Sequence, residues 1–273
     1  IFGVDKSDKL LYALAPLLII IASVGTFSFL PWNKGAAVLD FNVGVFMITA
    51  ISSIGVLGIV LAGWGSNNKY SVVSALRGAV MMVSYEISLG LCMITAVVLC
   101  GSMQLSQIIN AQTGPWNWLI IQGHIPAIVA FFVVLIAGNA EADRGPFDLD
   151  EAESGLVAGY HTEYSGMGFG SFYLAEYLNL VVVSGLAATI FLGGWAPLNI
   201  GIERFDAVMN YIPGFVWFAA KTLLVIWILM WVRWTFPRLR IDHVLNLEWK
   251  YLMPLMLLTL VVMTTCVALG WTL

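Results

Sequence analysis

Seven carboxylic acids fall between residues 139 and 164: Glu141, Asp143, Asp148, Asp150, Glu151, Glu153 and Glu163. They are seven of the sixteen acids in the chain, and a single arginine, Arg144, accompanies them. Carboxyl groups this close together raise one another's proton affinity, which suits proton transfer near neutral pH. Two further acids stand alone inside apolar runs, Glu86 in VMMVSYEISLGL and Glu176 in FYLAEYLNL. An acid at membrane depth costs about 2.5–3.5 kcal/mol on insertion scales, and such acids mark proton or ion pathways more often than packing. The chemistry on offer is therefore the handling of protons, cations or a polar ligand head group.

Plainer roles compete for some of these residues. Asp148-Leu-Asp-Glu151 has a capping-box pattern, with Asp148 as N-cap and Glu151 three residues on. Negative charge in a first helical turn is favourable, so helix-start chemistry explains Asp148, Asp150 and in part Glu151. It leaves Glu141, Asp143, Glu153 and Glu163 unexplained. Pro146 is expected to end the preceding span, and Gly155 and Gly159 to break any long helix after it. Gly78, Met82, Glu86 and Gly90 recur every four residues, which predicts one helix face with small residues for close packing and the carboxylate turned inward. Glu86 and Glu176, with Asn179 nearby, would form a relay if their helices touch. On the basic side, Lys69 and Arg77 follow a GWGSNN turn, and Arg238 and Arg240 precede Asp242 and His243. These are either ordinary basic flanks or a docking surface for a soluble partner that carries acids.

The elements that must position these groups are membrane helices. Hydrophobic residues make up 60% of the 273 and charged ones 10%, with mean hydropathy +0.91, which excludes an ordinary soluble domain. An all-α polytopic membrane protein is expected, a single helical domain over residues 1–273 with a large structured loop at 139–166. Seven spans are predicted, at 10–30, 43–62, 75–99, 125–138, 168–192, 215–235 and 252–269, most near the ~20 residues a bilayer needs. The fourth is short and should continue into 139–143. Nine of the twelve Lys and Arg residues fall in the loops 1–9, 63–77, 139–167 and 233–251, two in the opposite loops, and Lys221 within a span. The positive-inside rule puts the acidic loop in the cytoplasm or its organellar equivalent. Trp32, Trp64, Trp195 and Trp271 sit at span ends, where interfacial anchors belong. No internal repeat is visible. The three cysteines lie singly in apolar runs and are read as packing residues, with no metal site.

The residues also carry a resemblance. The run PFDLDEAESGLVAGYHTEYS at 146–165 closely resembles the signature loop of one family of respiratory complex I, the proton-pumping NADH:quinone oxidoreductase. That family is the membrane component at the junction of the two arms. So do GWGSNNKY and SYEISLG within 63–90, LAEYLN at 174–179, the residues 193–195, Lys221, and FPRLRIDHVLNLEWK at 236–250. The family has eight spans with both ends outside, so seven spans with the N-terminus inside suggest that the first helix is missing here. Asp150 stands where a proline is usual, Asp143 adds an acid beside Arg144, and His243 replaces a glutamine.

The resemblance implies a subunit with no redox centre and no cofactor of its own. NADH, FMN and iron–sulfur clusters would be on partner subunits, and quinone would be the substrate. It assigns Glu141, Asp143, Arg144, Asp148, Glu151, Glu153 and Glu163 to the chamber wall and the start of a proton path. Glu86 and Glu176 would continue that path through the membrane. Lys69, Arg77, Arg238, Arg240, Asp242 and His243 would face the peripheral arm. The implied partners are the peripheral-arm iron–sulfur and quinone-site subunits, antiporter-like membrane subunits, quinone and the lipid bilayer, with no nucleic acid. A bacterial cytoplasmic membrane is the expected location, an organellar inner membrane the alternative. Rival readings are a membrane anchor of an energy-converting hydrogenase or related ferredoxin-linked complex, and a stand-alone secondary ion transporter.

Overall fold

The computed structural model describes residues 7–35, 37–148 and 159–270. Among them seven helical spans are long and apolar enough to cross a membrane, making this an all-helical integral membrane protein. Six are single helices: α1 (Lys9–Ser28), α2 (Gly44–Gly65), α3 (Lys69–Cys100), α6 (His124–Glu141), α7 (Met167–Phe191) and α9 (Gly214–Thr235). The seventh, Ile241–Ala268, joins α10 (Ile241–Leu247) to α11 (Met253–Ala268) through a π-helical turn, Glu248–Leu252. Short helices α4 (Leu105–Ala111), α5 (Leu119–Gln122) and α8 (Glu203–Tyr211) lie in the loops opposite the basic ones.

Local chemistry sets the ends. The Asp8 side chain accepts the Leu10 N–H at 3.2 Å to start α1, and Asn68 accepts the Tyr70 N–H at 3.1 Å to start α3. That cap places the start of α3 six residues before the expected 75. Helix α6 runs past the expected 138 to Glu141, then stops before Pro146, because Asp143 takes a left-handed conformation (φ 47°). The last span begins at Ile241, eleven residues earlier than expected. Pro254 is the second residue of α11, directly after the π-helical turn.

Small residues let the helices close. A Cβ at Gly63 would lie 2.9 Å from the Ser71 carbonyl oxygen, and one at Gly58 3.2 Å from that of Ala15, so α2 approaches α3 and α1 at these points. Gly138 of α6 meets Val183 of α7 in the same way. Gly90, expected to do this on α3, meets nothing within 4 Å. Helices α3, α6 and α7 carry the main core, while Leu57, Leu223, Trp227 and Leu258 point outward, as lipid-facing residues do. Trp195, expected at an interface, is buried, whereas Trp64 is exposed. Trp271 lies outside the described residues.

Candidate functional site

Glu86 sits about five turns into α3, counted from its Asn68 cap, and beside α2. The Ser52 hydroxyl donates to its Oε1 at 3.3 Å, and the Ser53 hydroxyl donates to the same oxygen. Glu141, the last residue of α6, shares a cavity with Glu86, Ser52 and Asn179, and its carboxyl is close enough for the two acids to repel. A second cavity joins Glu141, Asn179, Ser52 and Thr49. The two measure about 30 and 20 Å³, each with room for roughly one water. Among the described residues no cation pairs with either acid. The groups around these two carboxyls are the Ser52 and Ser53 hydroxyls, with the Asn179 side chain lining the same cavities.

Glu176 lies in different surroundings. Its Oε2 is 3.2 Å from Nη2 of Arg144, and both side chains are buried. The Arg144 guanidinium also stacks over the Tyr177 ring at 4.1 Å. The expected pairing of Glu86 with Glu176 is therefore replaced by two others, Glu86 with Glu141 and Glu176 with Arg144. Asn179, predicted as a partner of Glu176, lines the Glu86–Glu141 cavities instead. Asp143, one residue before the arginine, is buried.

Glu163 lies at the basic face. The Asn68 amide donates to its Oε1 at 2.9 Å, and the Tyr12 hydroxyl donates to its backbone carbonyl at 2.8 Å. Tyr12 and Tyr164 stack at 4.2 Å, and Phe172 packs edge-on to Tyr160, His161 and Tyr164. The Ser71 hydroxyl donates to the Tyr160 carbonyl at 3.1 Å. Gly159, with φ +65°, opens the segment that carries this aromatic plate; whether a helix ends there lies outside the described residues. Burial, and then Tyr12, push the Tyr164 phenol well above its ordinary range, so it stays protonated and donates to the Tyr12 carbonyl at 3.3 Å.

The remaining sequence candidates divide. Asp148 accepts from the Arg238 guanidinium at 2.7 Å, which ties the acidic loop to the segment before α10. Whether it also caps a helix lies outside the described residues, as do Asp150, Glu151 and Glu153. Lys69, Arg77, Asp242 and His243 lie on the basic side with Arg240, and their side chains are at least partly exposed. A cavity of about 890 Å³ lies at the opposite end between α3, α6 and α11, and no Asp, Glu, Lys or Arg lines it.

Two further ionisable residues, Glu248 and Lys221, are buried. Glu248, in the π-helical turn, is 1% exposed and accepts from the Ser88 hydroxyl of α3. In sequence it reads as a boundary acid beside Trp249 and Lys250, and nothing there foretells a π turn. Lys221 is legible in the sequence as a lone charge within a span, but its partners are not. Its Nζ donates to the Ala196 carbonyl at 2.8 Å and lies 5.0 Å from the Trp118 ring, which seals the outer end of α7 and α9.

A family model described as NADH dehydrogenase matches residues 2–264. The NADH-quinone oxidoreductase H-subunit of Bacteroides thetaiotaomicron is 60% identical over 272 residues, covering 99% of this chain and 75% of that protein. The protein of the same name from Bacteroides fragilis is 61% identical over 271 residues, with the same coverage. That from Cupriavidus necator is 41% identical over 273 residues, covering 96% of this chain and 74% of its own. The chain belongs to the NADH dehydrogenase family, alongside the H-subunits of NADH-quinone oxidoreductase.

Proposed function

We propose that this chain is the membrane subunit of a proton-pumping NADH:quinone oxidoreductase that walls the quinone chamber and opens its proton-coupling path. The observation that carries the reading is a succession of acids from the basic face inward: Glu163 on Asn68, Asp143 and Arg144 with Glu176, then Glu141 facing Glu86 across a water-sized cavity. Electrons would come from an iron–sulfur cluster in a neighbouring peripheral subunit, fed by NADH through FMN on other chains. This chain supplies no redox group and no catalysis by itself. Reduction of the quinone head creates negative charge and draws protons. The nearest carboxyl groups respond, and the coupled Glu86–Glu141 pair passes the change in protonation into the membrane. The exposed Lys69 and Arg77, with Arg240, offer positive charge to acids of the peripheral arm. Antiporter-like subunits would receive the proton path, and the location would be a bacterial cytoplasmic membrane.

The test uses the assembled complex with Glu86→Gln and Glu163→Gln made singly. The expected result is loss of proton pumping with NADH, and slower quinone reduction in Glu163→Gln. Wild-type quinone reduction and pumping in both variants would overturn the proposal. So would activity with hydrogen or reduced ferredoxin but none with NADH and quinone, which would identify a hydrogenase-type anchor.

A further inference from the structure

The buried acid at Glu248 has no part in the path just described. Positions 84 and 88 of α3 lie about 200° around the helix from position 86. The face bearing Ser84 and Ser88 is therefore opposite the face bearing Glu86. It packs on the π-helical turn, an element that occurs mostly as single turns at functional sites. There the Ser88 hydroxyl donates to Oε1 of Glu248, Trp249 Nε1 donates to the Ser84 hydroxyl at 3.3 Å, and the Tyr85 hydroxyl donates to the Val244 carbonyl at 3.0 Å. Oε2 of Glu248 has no hydrogen-bond partner among the described residues, and no cation of theirs lies within ion-pairing distance.

A buried, ionised carboxylate without a counter-charge is far costlier than a neutral acid, so this site is built to hold a proton. The titratable groups facing it from α3 are Tyr85 and Cys92. Along its own span Asp242, His243 and Lys250 are at least partly exposed, and α11 contributes no charge. Glu248 lies seven residues, roughly 10 Å, from the basic end of the span.

We infer that Glu248 is a second proton-binding site of the membrane region, held by Ser88 and separated from the Glu86–Glu141 pair by the body of α3. The step is a simple protonation: the carboxyl releases its proton to water at the basic face and takes one back from it, with no change in oxidation state. Glu248 exchanges this proton as the complex turns over, so the inference rests on the proposed role in proton coupling.

The experiment is redox-triggered infrared difference spectroscopy of the whole complex, wild type against Glu248→Gln, Ser88→Ala and Glu86→Gln. Glutamine keeps the shape and the serine contact but carries no titratable proton. The expected result is loss of one protonated-carboxyl band in Glu248→Gln, displacement of that same band in Ser88→Ala, and loss of a different band in Glu86→Gln. Should Glu248→Gln fail to assemble, the Ser88→Ala displacement decides. Unaltered bands in both the Glu248 and Ser88 variants, with the Glu86 band lost, would overturn this inference alone. Unaltered bands together with normal pumping in Glu86→Gln would overturn the coupling role itself.

Discussion

Glu86 and Glu176 are both acids within apolar helices, and their surroundings differ in kind. Glu176 faces a buried guanidinium that is itself stacked on Tyr177. Glu86 faces two serine hydroxyls, an amide and another acid. In the first place a positive charge stands against the carboxylate. In the second no charge compensates, and a proton is what steadies the pair. Compensated acids hold structure in place, whereas uncompensated ones are free to change protonation. Within the proposed function, the contrast would give Arg144–Glu176 the task of shaping the chamber wall and Glu86–Glu141 that of moving protons.

The sharpest way to break this contrast is Arg144→Met. It strands Glu176 as a buried acid without its partner, at a cost of about 3–5 kcal/mol, and the expected outcome is little assembled complex in membranes. Adding Glu176→Gln should recover much of that assembly, because the stranded charge is gone. Next comes the double change Ser52→Ala with Ser53→Ala, which removes both hydroxyl donors to Glu86. Loss of these donors should cost about 1–3 kcal/mol, read as a lower unfolding temperature of the complex with pumping impaired. Asn68→Ala, at the outer end of the acid succession, removes both the hydrogen bond to Glu163 and the N-cap of α3, and should cost about 1–3 kcal/mol. The smallest effect belongs to Asp148→Asn. Its bridge to Arg238 is half-exposed on the arginine side, so about 0–1 kcal/mol is expected, with assembly and pumping near wild type. If Asp148→Asn disrupted assembly as strongly as Arg144→Met, burial would not be what separates the two ion pairs.

The aromatic plate adds a pH dependence. Tyr164 has a raised proton affinity in the fold, so above about pH 10 an unfolded tyrosine loses its proton first. Stability from this residue is therefore complete below about pH 10 and falls as pH rises beyond it, a trend that Tyr164→Phe should flatten in alkaline unfolding curves.

The spans and the presence of an acid at position 86 were legible in the sequence, because apolar runs and a lone charge within one are local facts. The partners were not. Glu86 and Glu176 each looked in need of company, and only helix packing, set by close approaches at Gly58, Gly63 and Gly138, decides that Glu141 and Arg144 provide it. Asp148 matched a capping pattern equally open to a long-range partner, and within the described residues Arg238 is that partner. Glu248 was hidden for another reason. An acid next to Trp-Lys reads as a membrane-boundary residue, and a π-helical turn that swings it inward has no short-range signature.

The most direct test of the contrast is proton uptake per NADH oxidised, measured in proteoliposomes containing the complex with Glu86→Gln. The neutral isostere keeps the serine hydrogen bonds and removes the exchangeable proton. The account predicts a normally assembled complex whose proton uptake falls sharply. A complex that assembles, reduces quinone and pumps as the wild type does would contradict it.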